Sequence, residues 1–120
     1  MRVLVCGDRN WTELDPILQH LTQYADDTIV IEGEARGADR LAAKSARLLD
    51  LEVWPYPAQW EQYGRAAGLI RNQQMLDDGK PDVVVYFHHN LAESKGTGDM
   101  VRRAKRAGIP VINGATGEAG

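Results

Sequence analysis

Three short segments of the chain carry residue types that can hold an anionic ligand: Gly7-Asp8-Arg9, Gly33-Glu34-Ala35-Arg36-Gly37-Ala38-Asp39 and Ser94-Lys95-Gly96-Thr97-Gly98-Asp99. Glycines let backbone N–H groups come close to a phosphate, while Arg9, Arg36 and Lys95 add positive charge. The third segment opens a helix-like stretch, whose dipole contributes only ~0.3–1 kcal/mol to an exposed anion and up to ~2 when partly buried. Useful affinity therefore requires all three segments to converge. The plainer alternative for each is a glycine-rich turn between a strand and a helix.

Convergence depends on the elements around them. Val3-Leu4-Val5-Cys6, Thr28-Ile29-Val30-Ile31 and Val83-Val84-Val85-Tyr86-Phe87 are continuous apolar runs, the pattern of parallel strands buried on both faces, and each runs toward one of the three segments. Leu51 to Pro55 supplies a third strand in chain order and Ile109 to Ile112 a fifth, placed at an edge because Pro110 cannot donate to a ladder. Leu14, Ile17, Leu18 and Leu21 follow helical spacing, entered through Thr12 or through Asp15 before Pro16. Further helices are predicted through Leu41 to Leu49, over Arg65 to Asp78 with Ala66, Leu69, Ile70 and Leu76 as its apolar positions and Gly79 as its cap, and over Thr97 to Ala107. Ala58 to Gly68 reads as a loop or short helical turn.

Strands alternating with helices through short connections predict an α/β fold, a Rossmann-like three-layer sandwich with a five-stranded, mostly parallel sheet in the order 3-2-1-4-5. That order brings the loops after Cys6, Ile31 and Phe87 to one edge, at the crevice between the first and fourth strands. One domain is expected over residues 1–113, with the Gly/Ala-rich residues 114–120 as a flexible tail.

Composition narrows the function classes. A length of 120 residues, 43% hydrophobic and 26% charged, is that of a globular protein, and a net charge of -3 argues against a general nucleic-acid surface. Cys6 is the single cysteine and fits a buried thiol in a reducing cytosol, and no apolar run approaches the ~20 residues that span a membrane, so a cytoplasmic protein is expected. His20, His88 and His89 form no zinc spacing with Cys6, so no metal or other cofactor is expected. His88 and His89, being adjacent, would point to opposite faces of a strand, and at most one faces the site. Neither G-x-x-x-x-G-K-[ST] nor a G-x-G-x-x-G after the first strand is present, which removes support for P-loop hydrolysis and for ordinary dinucleotide-dependent hydride transfer.

Four segments in order, Gly7-Asp8-Arg9-x-Trp11, Gly33-x-Ala35-Arg36-Gly37-Ala38-Asp39, Arg71-Asn72-x-x-Met75 and Lys95-Gly96-Thr97, resemble the SLOG superfamily and within it the small YspA/YpsA-related proteins. The resemblance runs from Arg2 to about Asn113. It implies a Rossmannoid domain that binds a nucleotide or nucleotide-derived molecule such as ADP-ribose or NAD, with Gly7, Asp8, Arg9, Gly33, Ala35, Arg36, Gly37, Asp39, Arg71, Asn72, Lys95, Gly96, Thr97 and Gly98 as ligand-binding positions. It also allows a homodimer, common among related proteins.

The superfamily's LOG phosphoribohydrolases cleave the N-glycosidic bond of nucleoside monophosphates with an arginine from R-x-x-x-M and a glutamate from P-G-G-x-G-T-x-x-E. Arg71 and Met75 match the first motif. In the second, Glu93 and Ser94 replace the paired glycines and Met100 replaces the glutamate, leaving Asp99 as the nearest substitute carboxylate. Glu34 likewise stands where a glycine is expected. Binding is therefore the leading expectation, and LOG-type hydrolysis is the alternative, with Arg71 and one of Asp8, Asp39 or Asp99 as its catalytic pair. Competing structural roles are an ion pair for Arg71, a helix-dipole contact for Asp39, and core packing for Trp11.

Overall fold

A computed structural model describes residues 1–120. At its centre β1 (Arg2–Gly7) pairs in parallel with β4 (Val83–Phe87), in register from Val3 opposite Val83 to Gly7 opposite Phe87. On the other side of β1 lies β2 (Ile29–Glu32), followed by β3 (Glu52–Pro55), while β5 (Val111–Asn113) pairs with β4. All five strands are parallel in the order β3-β2-β1-β4-β5. This is the Rossmann-like arrangement expected from the alternating pattern.

Successive strand residues point to opposite faces, which divides the core in two. Val3, Val5, Val30, Val83, Val85 and Phe87 face α1 (Leu14–Leu21) and α2 (Ala38–Leu48), with Ile17 and Leu21 from the former and Ala38, Ala42 and Ala46 from the latter. The alanine stripe lets α2 approach the sheet closely. Leu4, Cys6, Ile31, Val84 and Tyr86 face α4 (Ala67–Gly79) and α5 (Gly96–Arg106), which contribute Met75, Leu76, Met100, Val101 and Ala104. Fully burying each of the Val, Leu, Ile, Phe and Met side chains among these stabilises the fold by ~1.5–3 kcal/mol relative to exposure. No helix is long and apolar enough to cross a membrane.

Between β3 and α4 the chain forms a single helical turn, α3 (Trp60–Tyr63), and a 3-10 turn over Gly64–Ala66. The fold departs from expectation on α4. Leu69 and Ile70 are exposed, because Ala67, Asn72, Met75, Leu76 and Gly79 form the buried face instead. Gly79 is the last helical residue rather than the cap: its missing side chain makes room for Ile31 Cδ1, 2.9 Å from where a Cβ would stand, and Lys80 takes the left-handed conformation at φ 48°. β5 begins after Pro110, whose carbonyl accepts the Val84 amide at 2.9 Å. Residues 114–120, expected from composition to fray, turn back along this edge, with an antiparallel bridge between Ile112 and Ala119 and the Gly120 amide donated to the Val111 carbonyl at 2.8 Å.

Candidate functional site

The carboxyl ends of β1, β2 and β4 open into a cleft of about 390 Å³, within the usual size range of small-molecule sites. Its wall is built from Cys6 to Asn10, from Ala35, Arg36 and Asp39, from Arg71, Asn72 and Met75 on α4, from His88, and from Ser94 to Thr97. Arg9, Arg36, Arg71 and Lys95 set four cations against the carboxylates of Asp8 and Asp39, so the cleft is locally positive in a chain of net charge -3.

The loops hold one another before they hold anything else. The Asp8 amide donates to the Phe87 carbonyl at 3.0 Å, and the Asp8 carbonyl accepts the amides of Trp11 and Ala38, both at 3.1 Å. Gly37 is at φ 80°, and a Cβ there would strike the Asp8 and Arg9 carbonyls. At Gly7 it would strike the Phe87 carbonyl and Ala38 Cβ, and at Gly33 the guanidinium of Arg71 and the Asp39 carboxylate. These three glycines admit protein to protein. Gly96, with nothing within 4 Å of the same point, is the cleft glycine that leaves space for a ligand. At this end of α5 the Ser94 hydroxyl already caps the amides of Thr97, at 3.0 Å, and Gly98, at 3.4 Å.

A polar chain ties the second loop to α4 and α5. Arg71 donates through Nη1 to the Gly33 carbonyl and through Nε to Asn72 Oδ1 at 3.1 Å. Asn72, buried, donates through Nδ2 to the Gly96 carbonyl at 3.2 Å and to Asp99 Oδ2 at 3.1 Å. Asp99 in turn accepts Arg103 Nε at 2.7 Å, and Arg103 reaches Gln73 Oε1 at 2.8 Å. Asn72 thus positions the Lys95–Thr97 turn relative to Arg71.

Burial dominates the electrostatics beneath the cleft. Desolvation pushes the Asp39 carboxyl up to about 6, against the opposing effects of nearby Arg71 and of the amides of Ala35 and Gly33. It also lowers the affinity of Arg71 for its proton, an effect countered by Asp39, and raises the Cys6 thiol well above its ordinary value, which leaves an inert neutral thiol on the floor. Glu32, at the end of β2, is fully buried. Its Oε2 accepts the Glu34 amide at 2.6 Å and its Oε1 has no partner. Burial first, and then the Glu34 side chain, hold the Glu32 carboxyl far above the carboxylate range, so it stays protonated at neutral pH. Glu34 itself is at φ 59°, a conformation that accounts for the glycine expected at this position.

Because the folded state holds the Glu32 proton more tightly than the unfolded chain, Glu32 costs stability progressively as pH rises above the ordinary glutamate range. Glu32→Gln keeps both the acceptor for the Glu34 amide and a donor toward the Glu34 side chain, and has no proton to lose as pH rises. The variant should be more stable than the parent by ~1–3 kcal/mol at pH 8, the difference vanishing near pH 4. Thermal melts across that range measure it, and equal melting temperatures at pH 8 would remove this assignment.

Of the expected site residues, Gly7, Asp8, Arg9, Ala35, Arg36, Asp39, Arg71, Asn72, Lys95, Gly96 and Thr97 lie on the cleft wall. Four lie elsewhere. Gly33 and Gly37 are spacers behind the wall, Gly98 faces Arg102 and the Leu91 carbonyl, and the Asp99 carboxylate is turned to Arg103 and Asn72. Trp11 is core, edge-on to Phe87 at 5.7 Å and stacked on His89 at 4.6 Å. His88 lines the cleft while His89 covers Trp11, although both lie in the loop beyond the end of β4 rather than on the strand. Asn10 and Ser94 complete the wall. The capping role of Ser94 has a sequence signal, a serine three residues before Thr97 at a helix start. Asn10 has one too, as the third residue of a turn begun by Asp8. No group of three or more His, Cys, Asp or Glu side chains is gathered closely enough to hold a metal ion.

A sequence model of the YspA, cpYpsA-related SLOG family matches residues 1–63, which carry the first two cleft loops. The chain belongs to this SLOG family. The gene 61 protein of Mycobacterium phage D29 is 39% identical to it over 121 aligned residues, covering 93% of this chain and 94% of the phage protein. No solved structure gives a significant match. The family match ends before Arg71 and does not reach α4 or α5.

Proposed function

We propose that this SLOG protein binds a nucleotide or nucleotide-derived molecule, with ADP-ribose-like and NAD-like ligands as the class, and acts as a sensor or sequestering domain. The observation that carries the reading is the cleft at the switch point of the sheet, whose wall carries four cationic side chains and the open Gly96 at the start of α5. A phosphate is the group such a wall suits, through charge-assisted hydrogen bonds from Arg36, Arg71 and Lys95. Binding is favoured over hydrolysis because Met100, at the position of the LOG glutamate, is fully buried and Asp99 is engaged by Arg103. Calorimetric titration with AMP, ADP-ribose and NAD tests the proposal. Micromolar binding of at least one is expected, and no heat with any of them up to millimolar concentration refutes it.

One observation favours a second reading, N-glycosidic hydrolysis of a nucleoside monophosphate. Asp39 is on the cleft wall beside Arg71, and its carboxyl, raised to about 6, is suited to proton transfer near neutral pH. Its discriminating assay is chromatographic detection of free base. Release that disappears in Asp39→Asn but persists in Asp99→Asn establishes this reading, and no release from any nucleoside monophosphate eliminates it.

A further inference from the structure

Asp8 and His88 face each other across the cleft wall in a matched arrangement. Each is fixed through one atom by the backbone amide two residues later: Asp8 Oδ1 accepts the Asn10 N–H and His88 Nδ1 accepts the Asn90 N–H, both at 2.9 Å. Because Nδ1 is an acceptor, the neutral ring carries its proton on Nε2. The atoms left over, Asp8 Oδ2 and His88 Nε2, are 4.0 Å apart, too far for a good hydrogen bond to each other. Their side chains are 31% and 15% exposed, open to the cleft without being loose in solvent.

We infer that this pair is a subsite for a sugar hydroxyl. It presents one acceptor and one donor at a fixed separation, and a hydroxyl is the group that donates to the first while accepting from the second. An oxygen ~2.8 Å from each atom fits their 4.0 Å separation at an apex angle of about 90°. A phosphate oxygen is disfavoured here, since it cannot donate and meets the Asp8 carboxylate, so the anionic end of the ligand belongs with Lys95, Gly96 and Arg36 and its polyol end with Asp8 and His88. The ligand class narrows to ribosyl phosphates with a free ring hydroxyl. This inference rests on the nucleotide-binding reading above and adds a selectivity which that reading does not require.

The test compares AMP with its 2′-deoxy and 3′-deoxy counterparts by calorimetry on the parent protein and on His88→Ala, His88→Gln and Asp8→Asn. One of the deoxy compounds should bind ~10–100-fold more weakly than AMP, less than in a fully enclosed hydroxyl site because this wall is partly open. His88→Ala should weaken AMP by about 10-fold while leaving the rejected deoxy compound unchanged, and His88→Gln, which keeps an N–H donor, should recover part of the loss. Asp8→Asn, held by the same Asn10 contact, turns an amide donor toward His88 Nε2–H and should also erase the discrimination. Equal binding of all three nucleotides to the parent overturns the hydroxyl subsite while leaving the phosphate cleft standing. A His88→Ala variant that weakens AMP and the deoxy compound equally also overturns it, showing a merely structural role. Absence of AMP binding up to millimolar concentration removes the nucleotide reading and the subsite with it.

Discussion

Arg71→Ala should lower affinity for any bound nucleotide at least ~100-fold and destabilise the fold by ~2–4 kcal/mol, the cost of leaving a buried carboxylate without its cation. Arg71 does two jobs in one position. It is a cleft cation, and its guanidinium also holds the Gly33 carbonyl and Asn72 while standing beside Asp39. Removing it leaves the Asp39 carboxyl with its burial and without its largest opposing influence, so that carboxyl must rise above about 6. In the parent, Asp39 costs stability as pH rises from its ordinary range near 4 to about 6 and adds no further loss above that. In Arg71→Ala the loss should continue to higher pH. Melts between pH 4 and 8 read that extension, and calorimetry reads the affinity. Arg71→Lys separates the two roles: it keeps a charge near Asp39 but not the planar fork, so it should recover more stability than binding. An alanine variant that binds nucleotide like the parent would take Arg71 out of the site.

Gly37→Ala should be among the most disruptive single substitutions in the chain, destabilising by ~3–5 kcal/mol or preventing accumulation of folded protein. Two independent penalties combine there. Gly37 is at φ 80° and ψ -129°, a region closed to L side chains, and the added methyl would enter the backbone of Asp8 and Arg9. Backbone cannot rotate away as a flexible side chain can, so relief requires separating the first loop from the start of α2 and giving up the bond from the Ala38 amide to the Asp8 carbonyl. Gly96→Ala is the contrast. It has open space around it and should fold normally, changing stability by no more than ~1 kcal/mol while obstructing the cleft. Denaturant midpoints of the two variants test the pair, and a Gly37→Ala midpoint matching that of Gly96→Ala would contradict the packing described.

The strand order and the meeting of three loops at one sheet edge were legible from patterns that are local and periodic. Continuous apolar runs make buried parallel strands, helical spacing makes the crossovers, and short right-handed connections leave few ways to order five strands. That is why β4 has the bounds its apolar run suggests and why Arg9, Arg36 and Lys95 line one cleft. On α4, helical spacing alone does not specify which face the sheet covers. Leu69 and Ile70 are apolar and helical, yet Asn72 and Gly79 take the inward positions on α4 because the inward face must also admit Ile31 and reach Gly96.

By itself, then, the sequence determined the fold class, the element order and the chemical character of the cleft, since each follows from residue type and short-range spacing. Only the tertiary structure decided what each polar and glycine residue meets. Gly33 and Gly37 serve the packing of loops rather than a ligand, Asp99 belongs to Arg103, Glu32 is buried beside Glu34, and Asp8 faces His88. Some of these partners are far apart in the chain and others only two or four residues away, but all are within a few ångströms in space. In every case the protonation state or conformation depends on burial and direction, and no periodicity in the chain encodes either one.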